Sequence, residues 1–392
     1  MWARGIGIKQ GVEVKVLHLI DSGGLYGAEK MLLALVRGQL NLGLEPMILS
    51  AGDPTIEEKP LEAEAKRLGL PIISWRMNPG LNIGESWKIL KWARSNGFHI
   101  LHSHGFKFNV LIGLIPRFLR EIPVISTLHG YVHADRFSKL WLYELLDRAA
   151  IRSVDGIVLV SEVTRKELPK AIRYSKKVEV ISNGVDLFEL SKRACEKIPE
   201  DIQAFVSGVV PLILGVGRLS KEKGFDLLIE SFAEVKRVYP KAGLLLVGEG
   251  KQRPALEAKI NVLELTNSVL MPGYMDGVPA LLHQADVLAM PSTTEGLPIT
   301  LLEAVGLGCP VIASPVGDIP LVLKKVDAGT VLKERSPGAL ATEILRTLRH
   351  SDESKLRAEE ATRRIGSVYS ASAMAESYLT VYSQRTCKRQ VR

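Results

Sequence analysis

The sequence predicts an α/β protein with two doubly wound domains, each built on a parallel sheet. The chain has 392 residues, which is more than a single hydrophobic core usually serves. Short apolar runs alternate with longer amphipathic runs along most of the chain, and this alternation favours parallel strands joined by right-handed helical crossovers. The alternation pauses once, near residue 200, and then resumes. We therefore predict two Rossmann-like domains that face an inter-domain cleft, the usual place for a ligand.

The predicted elements divide almost equally between the two halves. Apolar runs predict strands at 14–20, 45–50, 100–103, 124–128, 156–160 and 178–181, and again at 211–215, 243–247, 269–271, 287–290 and 311–313. Residues 28–42 predict an amphipathic helix. Residues 190–203 are polar and show no period, so we predict a linker at 190–205 between a first domain, 1–189, and a second domain, 206–369.

Composition limits the class of protein. A hydrophobic content of 46% with 24% charged residues is typical of a soluble globular protein. No apolar run approaches the roughly 18 residues of a membrane-spanning helix. The first apolar run contains Lys15 and His18, so we expect no signal peptide. Three widely spaced cysteines, Cys195, Cys309 and Cys387, predict neither a disulfide framework nor a zinc site, and a cytoplasmic location is the simplest expectation.

The net charge of +8 has a local component between residues 103 and 178, where basic residues outnumber acidic ones. A solvated basic surface explains this excess. Attraction to an anionic membrane or to a phosphate-bearing substrate is the alternative. Binding of nucleic acid is not predicted, because no recognised binding motif accompanies the charge.

Two glycine-containing loops follow predicted strands. Gly23 and Gly24 follow the first strand and permit close approach to the backbone beside a helix whose free N–H groups suit an anion, although turn geometry explains them equally well. The loop at 215–224 has a GxGxxS pattern but lacks the third glycine of a dinucleotide fingerprint. It carries Arg218 and Lys223, a planar fork and a point charge that suit a diphosphate. Two surface cations in a charged loop are the alternative.

Histidines lie at the ends of two predicted strands. His129 follows the strand at 124–128, and His102 and His104 lie at the end of the strand at 100–103. Single histidines at such positions are more often hydrogen-bonded structural residues than catalysts. The sequence has no HExxH pattern, no closely spaced His/Asp/Glu group and no Asp-x-Asp, so we predict no metal site.

Two glutamates, Glu295 and Glu303, lie eight residues apart in a largely apolar segment. Pro298 suits the start of a helix, so Glu295 would precede that helix and Glu303 would lie about two turns inside it. The free N–H groups of Ile299 and Thr300 could hold a phosphate. A carboxylate on each side could then accept hydrogen bonds from sugar hydroxyls. Complementing the positive end of the helix explains Glu295 but not Glu303.

Together these motifs resemble the retaining glycosyltransferases of family 4 (glycosyl transferases group 1), which have the GT-B fold. The resemblance covers nearly the whole chain. Its most specific parts are GVGRLSKEKGFDLLIESF at 215–232, LLVGEG at 245–250, PGYMDGVPALLHQADVLAMPS at 272–292 and EGLPITLLE at 295–303. In the first half, GGLYGAE, LHSHG, STLHG, VDGIVLVSE and VISNGVD are similar to the family's landmarks in their usual order.

The resemblance implies a role for each candidate residue. Arg218 and Lys223 would bind the donor diphosphate, Glu295 the donor sugar, and His129 would lie beside the reacting sugar; these four form the implied catalytic set. The implied donor-binding residues are Gly23, Gly24, Leu297, Ile299, Thr300 and Glu303, the last on the ribose. Pro298 departs from the glycine of many relatives and removes one backbone donor. The resemblance also implies that the final helix, 370–392, packs back on the first domain.

The implied reaction is transfer of a sugar from a nucleotide diphosphate sugar to a hydroxyl of a glycan or lipid-linked acceptor. It would retain the anomeric configuration and need no metal or other cofactor. A sugar-nucleotide epimerase of the same fold is an alternative, but it would not be expected to carry the Arg-x4-Lys and Glu-x7-Glu pairs together. A non-catalytic sugar-nucleotide-binding protein is another alternative. Acceptor pockets are built from variable loops, so the sequence does not identify the acceptor.

Residues 106–120 and 136–152 combine apolar side chains and the aromatic Trp141 and Tyr143 with lysines and arginines. A buried helix explains the first of these segments. A surface that meets an anionic membrane is the alternative. It would suit peripheral association with the inner face of the membrane during assembly of a cell-surface polysaccharide.

Overall fold

The computed structural model describes residues 14–78, 80, 82–129 and 139–386 and divides the chain into two compact units. Unit 1 comprises Met1–Leu159, Lys166–Ile181 and Ala375–Arg392. Unit 2 comprises Val160–Arg165 and Ser182–Met374. Among the described residues, no helix is both long enough and apolar enough to cross a membrane.

Unit 1 is built on a seven-stranded parallel sheet with the strand order β3-β2-β1-β4-β5-β6-β7. Its strands are β1 (Lys15–Ile20), β2 (Glu45–Gly52), β3 (Ile72–Arg76), β4 (Ile100–Ser103), β5 (Val124–Leu128), β6 (Gly156–Leu159) and β7 (Val178–Val180). The helices between them are α1 (Gly27–Asn41), α2 (Pro60–Arg67), α3 (Ile83–Ser95), α4 (Phe106–Gly113), α5 (Arg117–Arg120) and α6 (Lys139–Ser153). The strand order reverses direction between β1 and β4.

Unit 2 repeats this winding in a six-stranded parallel sheet with the order β10-β9-β8-β11-β12-β13. Its strands are β8 (Leu212–Val216), β9 (Gly243–Val247), β10 (Val269–Gly273), β11 (Val287–Met290), β12 (Val311–Ala313) and β13 (Thr330–Val331). Its helices are α7 (Leu187–Ala194), α8 (Glu200–Gly208), α9 (Phe225–Val238), α10 (Arg253–Val262), α11 (Val278–Gln284), α12 (Ile299–Gly306), α13 (Ile319–Val326), α14 (Pro337–Arg349) and α15 (Ser351–Val368). Here the reversal lies between β8 and β11.

The side chains of β1 alternate between two apolar cores, one on each face of the unit 1 sheet. Leu17 and Leu19 belong to one apolar core, whereas Ile20 belongs to a second core. Because successive side chains of a strand point to opposite faces, His18 shares the face of Ile20. His18 is fully buried there. A buried histidine in a strand interior needs polar partners, which the tertiary structure supplies.

The predicted linker is wrong. Residues 190–203 fall within α7, α8 and the turn between them, and Leu190, Ala194, Ile198 and Ile202 are all buried. These residues recur every fourth position, with Leu190 and Ala194 on α7, Ile198 in the turn and Ile202 on α8. The abundant charges between them hid that period. The longer segment of unit 2 begins at Ser182 and so includes these residues.

Two strands escaped prediction, and both lie at a sheet edge. β3 and β13 are only partly buried, so they lack the continuous apolar run of central strands in a parallel sheet. The final helix, α16 (Ala371–Thr386), places Tyr378 and Tyr382 in the interior of unit 1. There Tyr378 hydrogen bonds Thr127, and Tyr382 hydrogen bonds His102.

Candidate active site

Each unit places predicted site residues where its strand order reverses. Doubly wound sheets bind ligands at this point, at the carboxyl ends of the strands. In unit 2, Arg218 and Lys223 follow β8, and Glu295 follows β11, the neighbouring strand. In unit 1, Gly23 and Gly24 follow β1.

The backbone that carries Arg218 is held by direct contact between two loops. Gly217 and Gly248 both have positive φ, and a Cβ atom on Gly248 would collide with the carbonyl oxygen of Gly217. The amide of Leu219 donates to the carbonyl oxygen of Glu249 at 2.9 Å. Only glycine fits such a close approach. The contact fixes the backbone while the Arg218 side chain remains exposed.

Lys223, Ser292 and Glu295 form a compact polar group. The Lys223 ammonium and the Ser292 hydroxyl each donate to Oε1 of Glu295 at 2.7 Å. The Glu295 side chain is 10% exposed and that of Lys223 is 24% exposed, so the ion pair is partly shielded from water. Lys223 ends a single 3-10 turn that Gly224 closes in the left-handed region at φ +67°. The turn therefore aims the ammonium at Glu295.

The loop that precedes α12 is held from two sides. The side-chain amide of Asn183 donates to the Leu297 carbonyl oxygen at 2.9 Å, and the amide of Asp318 donates to the Gly296 carbonyl oxygen at 3.0 Å. Pro298 is the N-cap residue of α12, and no side chain caps this helix terminus. Its first N–H groups therefore suit an anion.

Of the predicted residues at this terminus, Leu297 and Ile299 are buried, whereas Thr300 is partly exposed. Glu303 is buried just over one turn inside α12, not about two turns as predicted, because it lies four positions after Ile299, where the helix begins.

The Gly23–Gly24 loop borders a cavity of about 490 Å³ in unit 1. Asp21 lines this cavity and accepts hydrogen bonds from the ammonium groups of Lys59 and Lys107, both at 2.7 Å. Burial raises the pKa of Asp21, but the bonds from Lys107 and Lys59 outweigh it and leave the pKa below its usual value. A Cβ atom on Gly23 would meet no atom within 4 Å, so the space in front of Gly23 is open.

His129 belongs to a cluster of four histidines. Its Nε2 lies 3.4 Å from Nδ1 of His104. Ring nitrogens of His18, His102 and His104 lie within 4.8 Å of one another. His18 comes from β1, whereas His102 and His104 lie at the end of β4. Burial lowers the pKa of His18 and of His129 to about 4 and places the pKa of His102 and of His104 well below the usual value. All four imidazoles are therefore neutral near pH 7.

Neutral imidazoles this close together are a type of group that can hold a divalent metal. In this structure, however, every ring nitrogen of His18, His102 and His104 has a hydrogen-bond partner. A metal would have to displace those partners. His102 and His104 are hydrogen bonded, as the sequence interpretation favoured. The sequence did not predict that they form one cluster, which arises because parallel pairing of β1 with β4 and of β4 with β5 brings the histidines together.

Sequence reasoning missed several partners of the site. Ser292 and Asn183 both stood inside quoted motifs, but nothing in their spacing predicted contacts with Glu295 and with Leu297. Gln39, inside α1, hydrogen bonds both His18 and Tyr382, and no sequence pattern predicted a role for it. These contacts depend on the packing of distant segments.

The family comparison covers both units. The sequence model described as "Glycosyltransferase Family 4" matches residues 26–188, and the model described as "Glycosyl transferases group 1" matches residues 199–364. This chain belongs to the group 1, family 4 glycosyltransferases. The predicted family and enzyme class are thus confirmed. The match favours a transferase over the epimerase and over the non-catalytic binding protein.

Three curated relatives of this glycosyltransferase are similar to it at low identity. N-acetyl-alpha-D-glucosaminyl L-malate synthase of Bacillus anthracis is 24% identical over 78% of this chain and 79% of its own length. The 2-deoxystreptamine glucosyltransferase of Streptomyces kanamyceticus is 26% identical over 81% of this chain and 87% of its own. The O-antigen biosynthesis glycosyltransferase WclY of Escherichia coli is 27% identical over 59% of this chain and 64% of its own.

Solved structures share the fold of this glycosyltransferase. Anabaena HepE, in complex with UDP and glucose, aligns with a TM-score of 0.77 at 20% identity and covers 95% of this chain and 100% of its own. Sucrose-phosphate synthase from Thermosynechococcus elongatus aligns with a TM-score of 0.70 at 19% identity over 96% and 100% of the two chains. The predicted GT-B fold, with its two parallel-sheet domains, is confirmed.

Proposed function

We propose that this glycosyltransferase moves a sugar from a nucleotide diphosphate sugar to a hydroxyl of a glycan or lipid-linked acceptor. In this proposal the anomeric configuration is retained, and no metal or other cofactor takes part. The observation that carries the proposal is the polar group after β8 and β11, where Arg218, Lys223 and Glu295 lie at the reversal point of unit 2. The structures of HepE with UDP and with UDP-glucose support a nucleotide sugar as donor.

Arg218 and Lys223 would bind the donor diphosphate. A guanidinium offers a planar fork, and an ammonium offers a compact charge. Glu295 holds the Lys223 ammonium in place through Oε1. We assign the other oxygen of Glu295, Oε2, to a hydroxyl of the transferred sugar. One carboxylate would then position both the cation and the sugar.

The uncapped end of α12 would bind phosphate oxygens through the N–H groups of Ile299 and Thr300, beside Leu297. Glu303, within the same helix, would accept hydrogen bonds from the ribose hydroxyls. In unit 1, the open space in front of Gly23 would admit substrate close to the backbone, whereas the Tyr26 ring lies against Gly24.

The chemistry we propose needs no base from the protein. The leaving diphosphate oxygen would accept the proton of the attacking hydroxyl on the same face of the sugar. Arg218 and Lys223 would stabilise the negative charge that develops on that diphosphate. His129 is neutral at physiological pH because burial lowers its pKa to about 4. It would therefore act as a hydrogen-bonding group beside the sugar rather than as a cation.

The proposed function is tested by nucleotide release from a panel of nucleoside diphosphate sugars, with and without a sugar acceptor. We expect one donor to raise the melting temperature, since a ligand that binds only the folded state stabilises it. The same donor should release its nucleotide faster when acceptor is present. Activity should persist in EDTA; loss in EDTA with recovery on added Mg²⁺ would overturn the metal-free part. Retention is read from the anomeric proton coupling of the product.

We further propose a cytoplasmic enzyme of cell-surface polysaccharide assembly that touches the inner face of the membrane. The O-antigen activity printed for WclY supports this setting. Exposed apolar side chains occur in the basic first half, among them Phe106 and Phe118, the latter 78% exposed. Arg117 lies beside Phe118 and is 40% exposed. Apolar and basic groups together suit an anionic membrane interface. The structure thus departs from the simpler expectation of a buried helix across 106–120, because only residues 108–113 of α4 are buried, while Phe106 and the apolar side chains of α5 are exposed.

Phe118→Ser is expected to reduce binding to vesicles rich in phosphatidylserine at low salt, because it removes an apolar group from the contact. Phe188→Ser is the matched control, since Phe188 is 76% exposed but lies in unit 2 on α7. Sedimentation with vesicles at low and high salt measures both variants. Absence of vesicle binding by the unmodified enzyme, or equal loss in both variants, would contradict the proposed surface.

A further inference from the structure

The four histidines of unit 1 form a continuous hydrogen-bonded chain that begins at Gln39. Oε1 of Gln39 lies 2.8 Å from Nε2 of His18. Nδ1 of His18 lies 2.9 Å from Nε2 of His104. Nδ1 of His104 lies 3.4 Å from Nε2 of His129. The chain thus connects the interior of the unit to the residue that the proposed function places beside the sugar.

A neutral imidazole has one nitrogen that donates and one that accepts, so fixing one ring fixes the next. Gln39 determines the direction at its end of the chain. Its amide nitrogen donates to the hydroxyl of Tyr382 at 3.1 Å, which leaves its carbonyl oxygen facing His18. That oxygen can only accept, so the proton of His18 is on Nε2. Nδ1 of His18 must then accept from His104.

The same rule carries the assignment outward. His104 donates from Nε2 to His18, so its Nδ1 has a lone pair. That lone pair accepts from Nε2–H of His129, and Nδ1 of His129 is left unprotonated. Deep burial prevents a second proton from entering the chain: His18 is fully buried and His104 is 5% exposed. Each ring therefore keeps a single tautomer.

A second branch leaves Tyr382 in the other direction and is compatible with this polarity. The Tyr382 hydroxyl, which accepts from Gln39, can donate to Nδ1 of His102 at 2.7 Å. His102 then donates from Nε2 to the Thr127 hydroxyl at 2.8 Å, and Thr127 donates to the Tyr378 hydroxyl at 2.9 Å. The hydroxyl of Tyr382, the Nε2–H of His102 and the hydroxyl of Thr127 each then have an acceptor on this branch.

We propose that Gln39, His18 and His104 are positioning residues that hold His129 as the Nε2–H tautomer, so that its Nδ1 accepts a hydrogen bond from a substrate hydroxyl. The proposal rests on the proposed function in one respect only: that a sugar hydroxyl is the group that meets Nδ1. In the opposite tautomer Nδ1 would carry a proton and could not accept that bond. Gln39 therefore determines which nitrogen of His129 carries the proton, and it does so through three successive hydrogen bonds.

Gln39→Met tests the proposal, because methionine has a similar volume and no amide. We expect the ¹⁵N shifts of His129 in histidine-labelled protein to move from a single Nε2–H tautomer towards a mixture of tautomers. We expect kcat to fall on the order of tenfold or more, as enzymes do when a catalytic imidazole loses its tautomer. The KM for the donor should change less than about twofold, since the diphosphate contacts lie in unit 2.

Tyr378→Phe is the matched control. It also removes one buried polar group, but at the far end of the branch through His102. We expect its melting temperature to fall by an amount similar to that of Gln39→Met, while the His129 tautomer and kcat stay unchanged. Parallel losses of kcat in both variants would show that the network acts only through stability, and would overturn the proposal.

A second pair covers the case in which Gln39→Met does not fold. In His18→Asn the amide oxygen can take the place of Nδ1 and accept from His104, whereas His18→Leu offers no acceptor. We expect the asparagine variant to retain the His129 tautomer and more activity than the leucine variant. Equal tautomer mixtures in the two variants would overturn the proposal. The ¹⁵N shifts need no substrate, so a missing transferase activity would count against the proposed function while the tautomer result still decides this inference.

Discussion

Lys223→Ala is expected to lower turnover by a hundredfold or more while the enzyme stays folded. Removing one preorganised group that stabilises developing charge typically costs this much. The ammonium lies 2.7 Å from Glu295, so its loss removes the proposed diphosphate contact and also frees the carboxylate that we assign to the sugar. Arg218→Ala should act in the same direction, because its side chain is exposed and free to reach a phosphate.

Lys221→Ala provides the control for charge. Lys221 is exposed on the same 3-10 turn, two residues before Lys223, and carries the same charge. We expect its turnover to stay within about twofold of the unmodified enzyme, as for most exposed substitutions. Steady-state rates with saturating donor measure all three variants. If Lys223→Ala and Lys221→Ala had similar rates, the diphosphate assignment would be wrong.

Unit 1 is expected to lose several kcal/mol of stability between pH 6.5 and pH 4. The four clustered histidines have folded-state pKa values below that of the unfolded chain, so the unfolded state binds more protons as the pH falls. Their contribution is complete above pH 6.5 and is lost as the pH falls towards the folded-state pKa. His18 alone, with a pKa of about 4, accounts for roughly 3 kcal/mol.

One carboxyl group works in the opposite direction. Burial raises the pKa of Asp147 to about 6, so this group stabilises the folded state as the pH falls from 6 towards 4. Four histidines take up a proton on unfolding near pH 5 and Asp147 releases one, which leaves an uptake of about three protons.

Urea unfolding at several pH values measures this uptake from the slope of the unfolding free energy. Tryptophan fluorescence reports on unit 1, because all five tryptophans precede residue 160. His18→Asn should reduce the proton uptake on unfolding by about one proton. His99, which is exposed, supplies the control, and His99→Gln should leave the uptake unchanged. If the unfolding free energy of the unmodified protein hardly changed with pH, the prediction that the four histidines are neutral in the folded state would be contradicted.

The sequence determined the fold class because the period of apolar residues is a local property. Central strands such as β5, β9 and β11 were located to the residue, since strands buried on both faces are mainly apolar. The edge strands β3 and β13 have one polar or open side, and their pattern was too weak. The incorrectly predicted linker at 190–205 shows the same limit. Its few apolar residues, separated by charged ones, did not predict helices, and their burial depends on packing against distant segments.

The candidate site divides in the same way. The position of Arg218, Lys223 and Glu295 after β8 and β11 could be predicted from sequence, because it depends only on where the strands end. Doubly wound sheets bind ligands at the carboxyl ends of their strands. The ion pair of Lys223 with Glu295 joins residues 72 positions apart, and no local pattern encodes that distance.

The histidine chain was decided by tertiary structure alone. Gln39 reaches His18 across 21 residues and Tyr382 across 343, and only the packing of α1, β1 and α16 in one unit makes both contacts possible. Sequence reasoning treated each histidine singly, because hydrogen bonds between side chains depend on distances of a few ångströms. The sequence by itself thus determined which elements form and which strand ends carry polar groups. Folding decided which of those groups touch, because burial forces each polar group to find a partner that is near in space and remote along the chain.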